Sequence, residues 1–146
     1  MDASPLPAGR RGRWLLGAVI LFLGGSGLVY EYCLSTLATH LLGNSVEQFS
    51  LIIALMLFAM GIAGLAQRRV EGTVRLAAAF VAVEILLGFI GGASALLLYL
   101  AYGWMDHFRV VLYGLALIIG FGIGLEIPLL MRINEAHRPD LKDNVG

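Results

Sequence analysis

Three glutamates interrupt otherwise apolar sequence: Glu31, at the end of Ser26-Gly-Leu-Val-Tyr-Glu31, then Glu84 and Glu126. An ionisable side chain at the centre of a membrane helix costs about 2.5–3.5 kcal/mol and marks a candidate functional site. A carboxyl group there can hold a proton, hydrogen-bond to a neighbouring helix, or balance the charge of an amine. The plainer reading is that each carboxyl reaches water or a nearby polar group. Tyr30, Tyr32 and the polar turn that follows offer this to Glu31, and Arg132 and cytoplasmic water offer it to Glu126. Glu84 lies too deep to snorkel, so it is either protonated, hydrogen-bonded to another helix, or facing a wet cavity.

Other chemistry-bearing residues form no constellation. His40, His107 and His137 are isolated near helix ends or in the tail, with no zinc-ligand spacing. Ser35 and His40 make no nucleophile–base pair, because nothing orients the histidine and no oxyanion site accompanies them. Gly120, Gly122 and Gly124 repeat as Gly-x-Gly-x-Gly, but inside a helix-length apolar segment, whereas a dinucleotide loop needs a preceding strand. No catalytic residue, metal site or cofactor is read from the sequence. Cys33, the only cysteine, permits no internal disulfide.

The elements that must position these acids are membrane helices. Of 146 residues, 59% are hydrophobic and 14% charged, against about 25% charged in soluble domains. Ten basic and ten acidic residues cancel, so no bulk charge favours nucleic acid. The reading is an all-α, integral membrane four-helix bundle. Residues 1–13 form a polar leader, 14–133 the four-helix domain, and 134–146 a polar tail. The spans are expected at about 14–40, 46–66, 73–102 and 108–133. Arginines, an apolar run and Gly24-Gly25-Ser26-Gly27 also fit a cleaved signal peptide, but apolar sequence resumes at once, favouring an uncleaved helix. The same glycines allow a bend in the first helix, and Pro128 predicts a kink late in the fourth.

Local signals set the ends. Gly43 is suited to close the first helix in the left-handed conformation. Ser45 with Gln48 reads as a capping box, and Glu47 favours the positive end of the second helix. Trp14 and Trp104 are expected as interface anchors. Gly61 and Gly64, Gly88 and Gly92, and Gly120 and Gly124 offer small faces for close packing. These faces anticipate further membrane helices, in a homo-oligomer or a larger complex, besides the lipid bilayer itself.

Basic residues alternate between the connections. The leader, 67–75 and 132–146 each hold three, 103–109 holds one, and 42–47 none. Both termini are therefore expected in the cytoplasm, consistent with a bacterial inner (cytoplasmic) membrane. Counting about 1.5 Å per residue from the cytoplasmic side, Glu31 lies roughly 25 Å deep, Glu84 roughly 15 Å and Glu126 roughly 9 Å. Three depths predict no single site using all three acids.

Ser26-Gly-Leu-Val-Tyr-Glu31, Leu42-Gly-Asn-Ser45, Phe58-Ala-Met-Gly-Ile-Ala-Gly64 and Gly124-Leu-Glu-Ile-Pro-Leu-Leu130, in this order, resemble the membrane domain of membrane-bound spermidine synthase-like proteins, the polyamine aminopropyltransferases. The resemblance runs from about Trp14 to the end and matches the amino-terminal half of that membrane domain. It implies an enzyme family whose soluble, doubly wound domain binds decarboxylated S-adenosylmethionine and a diamine between acidic residues. No alternating strand–helix pattern follows Ile133, so none of the family's catalytic residues transfers to a position here. The expectation is therefore a membrane anchoring or assembly subunit that is not itself an enzyme. The alternative is a small transporter, or half of one, moving a cationic solute such as a polyamine past Glu84.

Overall fold

In lipid, backbone amides and carbonyls must be satisfied within the segment, and a helix does this. The computed structural model describes residues 10–67, 73–104 and 108–136. They form α1 (Arg10–Leu42), α2 (Ser45–Ala66), α3 (Thr73–Trp104) and α4 (Phe108–Ala136). Each contains a stretch long and apolar enough to cross a membrane: Gly17–Leu42, Val46–Ala66, Arg75–Trp104 and Phe108–Ile133. The helices overrun the expected spans, with α1 starting about one turn before Trp14 and α4 ending past Ile133. Hydropathy marks where a span is apolar, but arginine and glutamate are good helix formers and carry a helix onward. The connections at 68–72 and 105–107, with His107, lie outside the described residues, as do the first nine residues and the tail with His137.

At the α1–α2 turn, Gly43 adopts φ 72° and its amide bonds to the Thr39 carbonyl at 3.0 Å, closing α1 as expected. The start of α2 differs from a capping box. Asn44 is the N-cap residue in the left-handed conformation, without a side-chain cap, and its side-chain amide bonds to Glu47 instead. Gln48 does not reach back to the cap. It is buried and accepts a hydrogen bond from the Tyr113 hydroxyl at 3.2 Å. A partner on α4 has outcompeted the local cap.

Helix α4 is the hub, in contact with all three others. Its closest partner is α2. A Cβ built on Gly120 would lie 2.8 Å from the Met56 Cα, and one on Gly124 would lie 2.5 Å from the Met60 Cα. The two helices run parallel in constant register. Gln48 meets Tyr113 at one end, and at the other Arg132 donates to the Gln67 carbonyl at 2.7 Å. Arg132 thus supplies a cation at the C-terminus of α2, where the helix dipole favours it. Helix α3 runs antiparallel to α4, with Leu87 against Gly122 and Leu97 and Ala101 level with Val111 and Leu115. Helix α1 meets α3 where the Tyr30 ring sits on Gly91, and meets α4 where Ile123 covers Gly27. The core is aliphatic, built on Leu34, Ile52, Met56, Leu98, Leu112 and Ile119.

The glycine faces divide. Gly120 and Gly124 are where backbones meet, whereas Gly61, Gly64, Gly88 and Gly92 have open space where a Cβ would stand. Trp14 and Trp104 point outward, at 76% and 89% exposure. Pro128 lies within α4, which continues through it to Ala136.

Candidate functional site

Antiparallel packing of α3 on α4 sets the register of the acids. From the Leu87–Gly122 contact, one turn back along α3 reaches Glu84, and one turn onward along α4 reaches Glu126. Because the helices run in opposite directions, both steps lead the same way along the bundle. Glu84 and Glu126 therefore stand at about the same level on neighbouring helices. Counting residues from the helix ends put them at different depths. Helix–helix register narrows that difference.

Burial reverses the ranking drawn from depth. Glu126, expected to have water and Arg132 for company, is 2% exposed, and Arg132 is turned to Gln67. Glu84 is half-buried. Glu84 Oε1 and Glu126 Oε2 are both buried with no hydrogen-bond partner. A buried polar atom left unsatisfied is costly and calls for an account. Ser35 Oγ is a third such atom, on the face of α1 turned into the bundle.

Glu84 also lines an open-sided cavity of about 340 Å³ between α1 and α3, walled by Ala18, Val19, Phe22, Leu23 and Phe80. Phe22 and Val19 are exposed, so its mouth faces the surroundings of the bundle. Glu31 stands apart: it is half-buried beside Tyr30, which is level with Gly91, roughly 10 Å along α3 from Glu84. Cys33 and His40 are exposed, whereas Ser35 is buried and its hydroxyl has no hydrogen-bond partner, the histidine included. Sequence reading found each acid but missed that Glu84 and Glu126 stand at about the same level on neighbouring helices. The signal available to it was the pair of short connections, which make α3 and α4 antiparallel neighbours.

Among the described residues, fold and site together define an all-helical protein with four helices long and apolar enough to cross a membrane and two acids that each hold a buried, unpartnered carboxyl oxygen. Comparison with known proteins makes this more particular. The chain is 42% identical across its full length to polyamine aminopropyltransferase 1 of Ralstonia nicotianae, covering 28% of that protein. It is 40% identical to polyamine aminopropyltransferase 1 of Streptomyces coelicolor over 88% of the chain and 24% of the relative. It is 41% identical to polyamine aminopropyltransferase 2 of Aquifex aeolicus over 87% of the chain and 25% of the relative. The chain is thus related to the polyamine aminopropyltransferases, and it spans about a quarter of the length of these curated relatives. No family model and no solved structure gives a significant match.

This corrects the expectation that the chain is not an enzyme. Relatives at about 40% identity are named polyamine aminopropyltransferases, so that expectation does not stand. The expectation arose because no catalytic constellation was read from the sequence, and such an absence says nothing of the activity its relatives carry.

Proposed function

We propose that this chain is the amino-terminal membrane-spanning segment of a polyamine aminopropyltransferase, and that it holds aminopropyl transfer at a membrane surface. The observation that carries this reading is the match along the entire chain to enzymes of that name, coupled with four helices each able to cross a bilayer. In this role the helices supply location and a scaffold, and the chemistry belongs to other parts of the enzyme.

Charge alternation between the connections orients the segment with both termini in the cytoplasm, and the compartment is a bacterial cytoplasmic membrane. Gly61, Gly64, Gly88 and Gly92, open within the chain, then form the surface for further helices. Those helices come from the same enzyme or from a second copy.

Fractionation tests the anchoring role. Aminopropyltransferase activity of the whole protein should sediment with membranes and resist extraction by high salt. Activity recovered in the soluble fraction, or no aminopropyl transfer at all, refutes it. Orientation is tested after replacing exposed Cys33 with alanine. An impermeant maleimide should then label Asn44→Cys from outside but not Gly72→Cys, and the opposite pattern refutes the topology.

A further inference from the structure

Glu84 is the one polar side chain in the wall of the cavity of about 340 Å³ between α1 and α3. On α1, Ala18, Val19, Phe22 and Leu23 are spaced i, i+1, i+4, i+5, which puts them on one helix face. Phe80 and Glu84 stand one turn apart on α3 and form the other side. Tyr30 meets Gly91, and seven residues back along each helix lie Leu23 and Glu84. The two helices therefore run parallel, and Ala18 and Phe80 lie to the same side of the carboxyl group. Glu84 Oε1 is buried and has no hydrogen-bond partner among the described residues. It sits within the Arg75–Trp104 span, roughly 15 Å along α3 from the start, and Phe22 is 80% exposed at the mouth. The mouth thus opens sideways at the depth of lipid tails, and whatever enters there must first dissolve in the bilayer.

The wall narrows the chemistry of the occupant. Water needs about two to four polar partners to stay in a cavity, and these walls offer a single carboxyl group. A hard divalent metal takes about six or more oxygen ligands, and no group of three metal-ligating side chains occurs among the described residues. A pure hydrocarbon would fill the space but leave the carboxyl oxygen buried and unsatisfied. A ketone or ether only accepts, so it suits a protonated carboxyl and not a charged one. A hydroxyl both donates and accepts, so it satisfies Glu84 in either protonation state. Being neutral, it also enters lipid at far lower cost than an ion. The volume holds roughly ten atoms of water size, at ~30 Å³ each, enough for a chain of medium length.

We propose that this cavity binds the hydroxyl end of an alcohol dissolved in the bilayer. The hydroxyl meets Glu84, and the chain runs past Phe80 and Phe22 towards Ala18. The site rests on the helices lying in a bilayer and not on aminopropyl transfer, and membrane fractionation reads the anchoring separately.

Photolabelling of the whole protein in phosphatidylcholine nanodiscs tests it. Octanol carrying a diazirine is added and photolysed, and the modified residues are located by peptide mass spectrometry. Labelling should saturate and fall on residues 18–23 and 80–84. Plain octanol should compete, while octane at the same concentrations should not. Glu84→Leu keeps the cavity filled to a similar extent but removes the polar partner, and should raise the half-saturating concentration about three- to tenfold, the worth of one buried hydrogen bond. Glu84→Gln, whose amide also donates and accepts, should stay close to wild type. Ala18→Phe narrows the cavity with Glu84 intact and should abolish saturable labelling. Thermal melts confirm that the variants are folded, and the comparison of octanol with octane needs no variant. The proposal is overturned by labelling that does not saturate or falls elsewhere, as it would if another segment of the enzyme filled the cavity. Equal competition by octane, or half-saturation unchanged in Glu84→Leu, overturns it too.

Discussion

Gly124→Ala probes the tightest joint of the bundle. A Cβ at this position would lie 2.5 Å from the Met60 Cα, 2.7 Å from the Met60 carbonyl oxygen and 2.8 Å from the Ala63 Cβ. Ordinary contact begins near 3.5 Å, so α2 and α4 must part by about 1 Å. Backbone atoms cannot rotate away as the end of a side chain can. Parting the helices also strains Gly120 against Met56 and the bonds at both ends of the parallel pair. Overpacking of this kind costs about 1–3 kcal/mol, while alanine returns up to about 1 kcal/mol of helix propensity over glycine. The expected net loss is about 1–2 kcal/mol, enough to shift the folded-to-unfolded ratio roughly five- to thirtyfold. Unfolding of the purified protein by dodecyl sulfate, followed by circular dichroism, reads this directly. Gly61→Ala is the matched control, because nothing lies within 4 Å of its Cβ position. If Gly124→Ala unfolds with wild-type midpoint, or Gly61→Ala loses as much, the packing deduced for α2 and α4 is wrong.

Further outcomes follow from single contacts. Tyr113→Phe removes the hydrogen bond to buried Gln48 and should cost about 1 kcal/mol in the same titration, whereas Tyr102→Phe, at an exposed position, should cost nothing measurable. Arg132→Gln takes the cation from the Gln67 carbonyl at the end of α2, and should lower stability by about 0.5–1 kcal/mol, with Arg132→Lys recovering part of it. Gly92→Leu should leave the fold of this chain intact, since its Cβ position is open; a change in the oligomeric size of the whole protein would place a partner helix on that face. Glu126→Gln should keep the fold, because an amide of similar shape fills the same space, while Glu126→Ala leaves a void and should destabilise by about 2 kcal/mol, measured as a lower melting temperature.

The sequence by itself determined the four helices, their order and the turn at Gly43, because lipid leaves an apolar segment little choice but a helix and because glycine takes positive φ at small cost. It also carried the relationship to aminopropyltransferases, in the order of its short motifs. What it could not settle was which way each residue faces. Gly88 and Gly92 have the same spacing as Gly120 and Gly124, yet only the second pair meets another backbone. In lipid every helix face is apolar, so no polar side marks the outside. The same limit hid the common level of Glu84 and Glu126. Counting residues gives a distance along one helix, but whether two side chains meet depends on which helices are neighbours and how each is rotated. Only the packing of Leu87 on Gly122 decided that Glu84 and Glu126 stand at about the same level while Glu31 stands apart.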